Sequence, residues 1–294
     1  MKFLKSLLLL SFVFSLFLSF QGCKESDTDG NSSSLFERGD SAMRTVLVYI
    51  MAENSLGHYA TFDIEEIKRG VRSLPSDCRV FAFIDDCGMP RIEQYVPDKD
   101  GLVNTLTVKE YDGDFCSSSA EELAGVLEFI LEFYPTKSLD LVLWSHADGW
   151  LRGSNDSPQR SIGIDNGNNS YSNNVTESIE MEELTTLLKR LPVNVDRLLF
   201  DACFMQCAEG AYALKDAVEW IIASPAEIPG DGAPYETVVP AFFLTEGPED
   251  IMSAYIEGYS GEPAGAVLSA VHTAGMDSLA YVSFYYIKKY FGIN

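Results

Sequence analysis

Apolar positions run continuously in some stretches of this chain and recur at helical intervals in others, and the two textures alternate. Thr45 to Ala52 is an unbroken apolar, β-rich run, the signature of a strand buried on both faces. Phe62, Ile64, Ile67, Val71 and Leu74 then recur near helical spacing within Tyr59–Leu74, and Pro75 stops them. Val80 to Ile84 reads as a second strand, and residues 91–111, with Asp100-Gly101, as a small hairpin. Ser118 or Ser119 is placed to cap a helix that runs to Phe133, with Glu121 and Glu122 in its first turn. Leu139–Trp144 is a third strand. Ile179–Leu191 is a helix closed by Pro192, and Arg197–Phe200 is a fourth strand. Met205–Val218 reads as a helix, Trp220–Ser224 as a fifth strand, and Pro229-Gly230-Asp231-Gly232 as a turn. The remaining residues read as helices.

Strands alternating with helices predict an α/β domain with a mainly parallel central sheet and helices on both faces. No P-loop and no glycine-rich dinucleotide fingerprint occurs, so nucleotide binding is not indicated. Residues 147–178 interrupt the alternation. They are rich in Gly, Asn, Ser and Asp, and a loop of this length inside a compact domain is usually functional.

The N-terminus follows other rules. Lys2 and Lys5 precede the apolar run Leu7–Phe20, which is short for a membrane span and suits a secretory signal. A small residue before Cys23 resembles a lipobox, in which Cys23 is lipidated. Residues 1–22 are therefore expected to be a lipoprotein-type signal peptide, 23–40 a polar tether, and 41–294 the folded domain. The chain is then exported, to the cell envelope or surface if lipidated and secreted if not. The formal net charge of −23 becomes −25 once residues 1–22, with two lysines and no acid, are removed. That charge argues against nucleic acid as a partner and favours basic substrates. Contact with a membrane is expected only through the lipid. Of the six cysteines, Cys78 and Cys87 flank one predicted strand. An extended strand of that length spans roughly 30 Å, far beyond disulfide reach.

Two strands end in residues suited to nucleophilic catalysis. Leu141-Val142-Leu143-Trp144 leads into Ser145-His146, and Leu198-Leu199-Phe200-Asp201 leads into Ala202-Cys203. Active sites of open parallel sheets gather beyond the carboxyl ends of the strands. A His and a Cys emerging there suit a cysteine hydrolase, with Cys203 as nucleophile and His146 as general acid/base. Cys203 lies near a predicted helix N-terminus, whose partial positive charge is expected to lower its pKa. His58 and His272 read as structural, and Cys207 as a packed residue four positions after Cys203. No second Cys/His pair exists to build a zinc site with them. No metal ligand is assigned. No cofactor is required by this reading, although Asp156, Asp165 and several Asn in the long loop are compatible with calcium without matching an EF-hand.

Val46-Leu47-Val48-Tyr49-Ile50-Met51-Ala52-Glu53-Asn54, Trp144-Ser145-His146-Ala147-Asp148-Gly149-Trp150, Asp201-Ala202-Cys203-Phe204-Met205 with Glu209, and Ala223-Ser224 followed by Pro229-Gly230-Asp231-Gly232 together resemble the clostripain family of cysteine peptidases. Their order and spacing also match, over roughly residues 44–280. The resemblance implies a caspase-like three-layer sandwich, a Cys–His dyad, and cleavage of polypeptides after Arg or Lys. By the same resemblance the backbone N–H groups of Ala147 and Cys203 serve as oxyanion donors. It further implies a zymogen that cuts itself at a basic residue after the His strand, here Arg160, with Arg152 as the other candidate. Two positions depart from the family pattern. Ala147 stands where Gly is usual, which costs strain if that position needs positive φ. Glu53 stands where Asp is usual.

Basic specificity needs carboxylates opposite the substrate guanidinium. Asp201, two residues before the nucleophile, and Asp231, in the turn after the fifth strand, are placed to border one substrate pocket. The alternative from another class is a catalytically silent surface lipoprotein that keeps the fold and binds peptides or glycans. An ordinary α/β hydrolase would need a Gly-x-Ser-x-Gly elbow, and none is present.

Overall fold

The structure is a computed structural model that describes residues 39–75, 77–150, 161–167, 178–259 and 266–292. The expected signal peptide and Cys23 lie outside these residues. Eight strands form one sheet: β1 (Arg44–Met51), β2 (Cys78–Asp85), β3 (Arg91–Pro97), β4 (Val103–Glu110), β5 (Leu139–Trp144), β6 (Val195–Asp201), β7 (Val218–Ala223) and β8 (Ser269–His272). Their spatial order is β4-β3-β2-β1-β5-β6-β7-β8. The inner five, β2-β1-β5-β6-β7, are parallel, whereas β3, β4 and β8 join antiparallel at the two edges. The β3–β4 pair is the hairpin anticipated from residues 91–111. β8 was not anticipated.

The helices are α1 (Gly57–Val71), α2 (Ala120–Phe133), α3 (Met181–Leu188), α4 (Ala208–Leu214), α5 (Tyr235–Ala241), α6 (Glu249–Gly258) and α7 (Met276–Phe291). The period-2 geometry of the strands sorts their side chains to two faces. Leu47, Tyr49, Met51, Phe81, Phe83, Leu141, Leu143, Leu198 and Phe200 pack with Leu123, Leu127 and Ile130 of α2, Leu184 of α3 and Ala211 of α4. Val46, Val48, Ile50, Ala82, Ile84, Val142, Trp144 and Leu199 pack on the other face with Ile64 and Ile67 of α1, Val238 of α5 and Ile251 of α6. The result is the three-layer sandwich expected from the alternating texture. Among the described residues, no helix is long and apolar enough to cross a membrane.

A buried ion network holds the amino end of the sheet. Asp140 on β5 accepts from Arg197 Nε at 2.8 Å and Nη2 at 2.7 Å, and from Arg44 Nη1 at 2.6 Å. Arg197 also donates to the carbonyls of Phe242, at 2.5 Å, and Thr245, at 2.8 Å. Every charge there meets an opposite charge or a carbonyl, as burial requires.

The main departure from expectation lies after β6. The helix expected from Met205 begins only at Ala208, and its N-cap is Cys207, whose sulfur accepts the Gly210 N–H at 3.3 Å. Cys207 is therefore a helix cap as well as a packed residue.

Candidate active site

β5 and β6 are neighbours in parallel register, with Trp144 opposite Asp201. His146 and Cys203 each lie two residues beyond that pair, so both leave the sheet at the same level of the carboxyl edge. Both side chains are half-buried. The Ser145 N–H reaches the Asp201 carbonyl at 3.4 Å, extending the strand contact toward them.

His146 is anchored from the neighbouring strand β1. Its Nε2 lies 2.8 Å from Ser55 Oγ. Asn54, just before, donates from Nδ2 to the carbonyls of Met51 and Ile164, both at 2.8 Å, and accepts the Leu56 N–H at 2.9 Å. The segment 161–167 crosses this region as a strap. The Gly163 N–H donates to the His146 carbonyl at 3.0 Å, and the Ile164 N–H to Ser145 Oγ at 3.2 Å. Gly163 is required here. Its φ is +96°, and a Cβ would stand 2.8 Å from Met51 Sδ. Ser55, Asn54 and Ser145 were not singled out from the sequence. Their short polar side chains beside a strand end were the available signal.

Cys203 departs from expectation in its electrostatics. Because α4 starts five residues later, its dipole acts on Cys207, and such effects fade within one turn. Burial instead pushes the Cys203 thiol above its ordinary value, and the nearby acids Glu227, Asp201 and Asp148 push in the same direction. The opposing influence is the Ile228 N–H, which points at Sγ from 3.5 Å. The next residue, Phe204, has φ of 61° and is the only non-glycine with positive φ among the described residues. Such a conformation costs on the order of 1–3 kcal/mol and marks functional sites. It is held by the Phe204 N–H to the Ala226 carbonyl at 3.0 Å. Ala147 is buried and outside the positive-φ region, so its methyl imposes no such strain.

Beside the dyad lies a group of acids. Asp201 is buried. Its Oδ2 accepts from the Ala233 N–H at 2.8 Å and the Tyr235 hydroxyl at 2.7 Å, and its Oδ1 from the Tyr255 hydroxyl at 3.1 Å. Asp231 is exposed at the turn above. The two acids are thus brought to one place in different roles, Asp201 tied down beneath and Asp231 free at the rim. A third acid, unforeseen from sequence, joins them. Asp63 of α1 is buried, with Oδ2 lacking any hydrogen-bond partner. Its pKa is pushed up to about 9, first by burial and then by Asp201, against the opposing indole N–H of Trp144. Gly232 roofs this group at φ +68°. A Cβ there would stand 2.9 Å from Asp201 Oδ2, 3.0 Å from Trp144 Nε1 and 3.2 Å from Asp63 Oδ2.

A second acidic group lies at the ends of β1 and β2. Carboxylate oxygens of Glu53, Asp85 and Asp165 fall within 4.8 Å of one another. Burial and neighbouring acids raise Glu53 to about 7 and Asp85 to about 9. Of this trio, Asp85 did not figure in the sequence reading, whereas Glu53 appeared there as a departure from the family pattern and Asp165 as an acid of the long loop. Arg160, Arg152 and Asp156 lie outside the described residues.

Comparison with known proteins bears on this arrangement. The model of the clostripain family matches residues 48–280. The chain is 24% identical over 220 residues to clostripain from Hathewaya histolytica, covering 66% of this chain and 41% of that protein. It therefore spans well under half the length of this curated relative. Among solved structures it resembles a secreted C11 cysteine protease from Bacteroides thetaiotaomicron in complex with an irreversible peptide inhibitor. The TM-score is 0.72 and the identity 31%, covering 82% of this chain and 69% of that one. It also resembles an inactive zymogen C11 protease from Parabacteroides distasonis. There the TM-score is 0.68 and the identity 29%, covering 83% and 65% of the two chains.

Proposed function

The chain belongs to the clostripain family, and from that premise we propose that it is an exported cysteine endopeptidase that cleaves polypeptides after Arg or Lys. The observation that carries this reading is the common departure of His146 and Cys203 from adjacent strands, each two residues past the Trp144–Asp201 pair.

The half-buried Cys203 thiol, held above its ordinary value, rests protonated, so attack is coupled to proton transfer. His146 takes the thiol proton as Sγ bonds to the scissile carbonyl carbon. The N–H groups of Ala147 and Cys203 stabilise the resulting oxyanion. When the tetrahedral species collapses, the C–N bond breaks and His146 protonates the leaving amine. A water, deprotonated by His146, then hydrolyses the thioester and restores the thiol.

Specificity for a basic side chain comes from the acids roofed by Gly232. Asp201 already receives three hydrogen bonds, so it is fixed beneath the pocket, where burial raises its pKa against those bonds. Asp63, with an unpartnered oxygen, and the exposed Asp231 are free to accept from the incoming cation. Binding of Arg or Lys then favours ionisation of Asp63. Activation by self-cleavage at Arg160 and lipidation at Cys23 complete the proposal. The zymogen state of the Parabacteroides relative and the secreted state of the Bacteroides relative support the activation and export parts.

The test is hydrolysis of peptide reporters carrying Arg, Lys or Asp before the scissile bond, with Cys203→Ala run alongside and both proteins followed on gels. Turnover confined to Arg and Lys and abolished in the variant is expected. No turnover, with an intact chain and no labelling of Cys203 by thiol reagents, would overturn the reading in favour of a silent binding protein.

A further inference from the structure

We propose that Ser55 is a positioning residue for the dyad. Its hydroxyl accepts the Nε2–H of His146, so that Nδ1 exchanges protons with Cys203 and with the leaving amine. The inference rests on the peptidase reading above and adds a third member to it. The observation that carries it is the 2.8 Å separation of Ser55 Oγ and His146 Nε2.

An imidazole offers two nitrogens, and the hydrogen bond made by one decides the protonation of the other. With Nε2 facing Ser55, exchange with the thiol falls to Nδ1. To take a proton Nδ1 must be bare, so the neutral ring carries its hydrogen on Nε2. The charged ring carries one on each nitrogen, and a serine oxygen accepts from Nε2 in both states. The thiol proton moves to Nδ1 as the Sγ–C bond forms, and passes to the leaving nitrogen as the C–N bond breaks. In the second half, Nδ1 takes a proton from the attacking water and returns it to Sγ. The Nε2 proton stays in place throughout. Ser55 therefore acts through the ring without gaining or losing a proton.

The surroundings of Ser55 are built for this contact. Ser55 is exposed, so its place must be set by its backbone. It follows the buried Asn54, whose Oδ1 accepts the Leu56 N–H at 2.9 Å and whose carbonyl accepts the Gly57 N–H at 3.1 Å. Ser55 is thus enclosed in a turn tied on both sides. Gly57 closes that turn tightly, since a Cβ there would stand 2.6 Å from the Ala52 carbonyl oxygen. The turn and the end of β5 are then fastened to one atom. The Met51 carbonyl accepts from Asn54 Nδ2 at 2.8 Å and from Ser145 Oγ at 3.3 Å. Ser145 precedes His146, so the shared carbonyl sets the span between the hydroxyl and the ring. A positioning partner works only when it is itself held by such outer contacts.

The contact is tested by separating the hydroxyl from its shape. Ser55→Thr keeps the hydroxyl, Ser55→Val has the shape of threonine without it, and Ser55→Ala removes both. Position 55 is outside the positive-φ region, so the backbone admits all three. Turnover of an Arg reporter and the thermal midpoint are measured on the full chain. Ser55→Val and Ser55→Ala should lower kcat by about 3- to 10-fold, the net worth of one neutral hydrogen bond. KM and the midpoint should hold, and Ser55→Thr should keep kcat within about twofold. Equal kcat in all variants would overturn the proposal. So would a loss that threonine shares with valine, or one that tracks a falling midpoint.

A second readout needs no turnover. Two-bond proton–nitrogen spectra of the imidazole rings are recorded on the chain bearing Cys203→Ala. The chain has three histidines, so His58→Gln and His272→Gln assign the remaining ring. Neutral His146 should carry its proton on Nε2, and that signal should shift in Ser55→Val but not in Ser55→Thr. A proton on Nδ1, or a signal indifferent to valine, would overturn the proposal. A wild type that turns over no reporter fails the peptidase reading alone, and the ring signal then still decides the contact.

Discussion

The two ends of one sheet treat buried charge in opposite ways. At the amino end Asp140 is bound by two guanidiniums, and Arg197 spends its remaining donors on carbonyls. At the carboxyl end Asp63, Asp85 and Glu53 are equally buried, yet each keeps an oxygen that nothing satisfies. Arg44 begins β1 and Glu53 follows its end, so the two groups share one sheet and the difference is not one of scaffold quality. The amino end is a finished structural joint. The carboxyl end holds buried carboxylate oxygens without a partner, at Asp63, Asp85 and Glu53, and on the proposed function Asp63 keeps its oxygen for a basic substrate side chain. A saturated joint at one end makes it feasible to keep costly groups at the other.

That contrast can be broken first at Arg197. Arg197→Met leaves Asp140 with Arg44 alone, and breaking a buried pair typically costs about 3–5 kcal/mol. The thermal midpoint should fall by roughly 10 °C in calorimetry, with specific activity per folded molecule little changed. A stable Arg197→Met would mean that the two ends do not differ in kind.

Gly232→Ala sharpens the opposite end. The methyl meets Asp201, Trp144 and Asp63 within 3.2 Å, and an alanine in the left-handed region costs about 1 kcal/mol more. Turnover of Arg reporters should fall about tenfold or more, in line with the cost of misfitting a pocket by one carbon. Neutral-reporter turnover falling equally would show that the acids do not form the basic pocket.

A smaller effect is expected at Asp63. Its raised pKa means that the folded state holds a proton which the unfolded chain releases near pH 4. Stability from that proton is complete below the unfolded value and is lost as pH climbs to about 9, by at most about 1.4 kcal/mol per pH unit. Asp63→Asn should therefore gain on wild type as pH rises over that window, read from denaturant midpoints. It should also raise KM for Arg reporters while sparing kcat. Parallel pH curves for the two proteins would remove Asp63 from the account.

The smallest change is expected at Ala147. The position is outside the left-handed region, so Ala147→Gly relieves no strain and should alter turnover by less than about twofold.

These differences also explain what could be read from the chain. Thr45–Ala52 and Leu139–Trp144 are continuous apolar runs, so their place as inner parallel strands was legible, and with it the shared exit level of His146 and Cys203. β8 was not, because Ser269–His272 is four residues long and only partly buried. The helix after β6 was expected too early because Met205 continues the apolar texture of Phe204, while the backbone of Met205 and Gln206 serves the turn. The Gln206 N–H, for example, goes to the Ser224 carbonyl at 3.0 Å. Asp63 and Asp85 were passed over for a deeper reason. On paper Asp63 belongs to the polar face of an amphipathic helix and Asp85 to the polar end of a strand. Only packing shows that both are buried with unpartnered oxygens, and that Gly232 matters because of what the fold sets beneath it.

Trp144 ends β5 opposite Asp201, and its indole N–H faces Asp63. Indole emission responds to the charge of a neighbouring carboxyl, so this chain contains its own optical electrode. With Trp150 and Trp220 replaced by Phe, the remaining fluorescence would report the loading of the acidic pocket in real time, with no dye and no turnover.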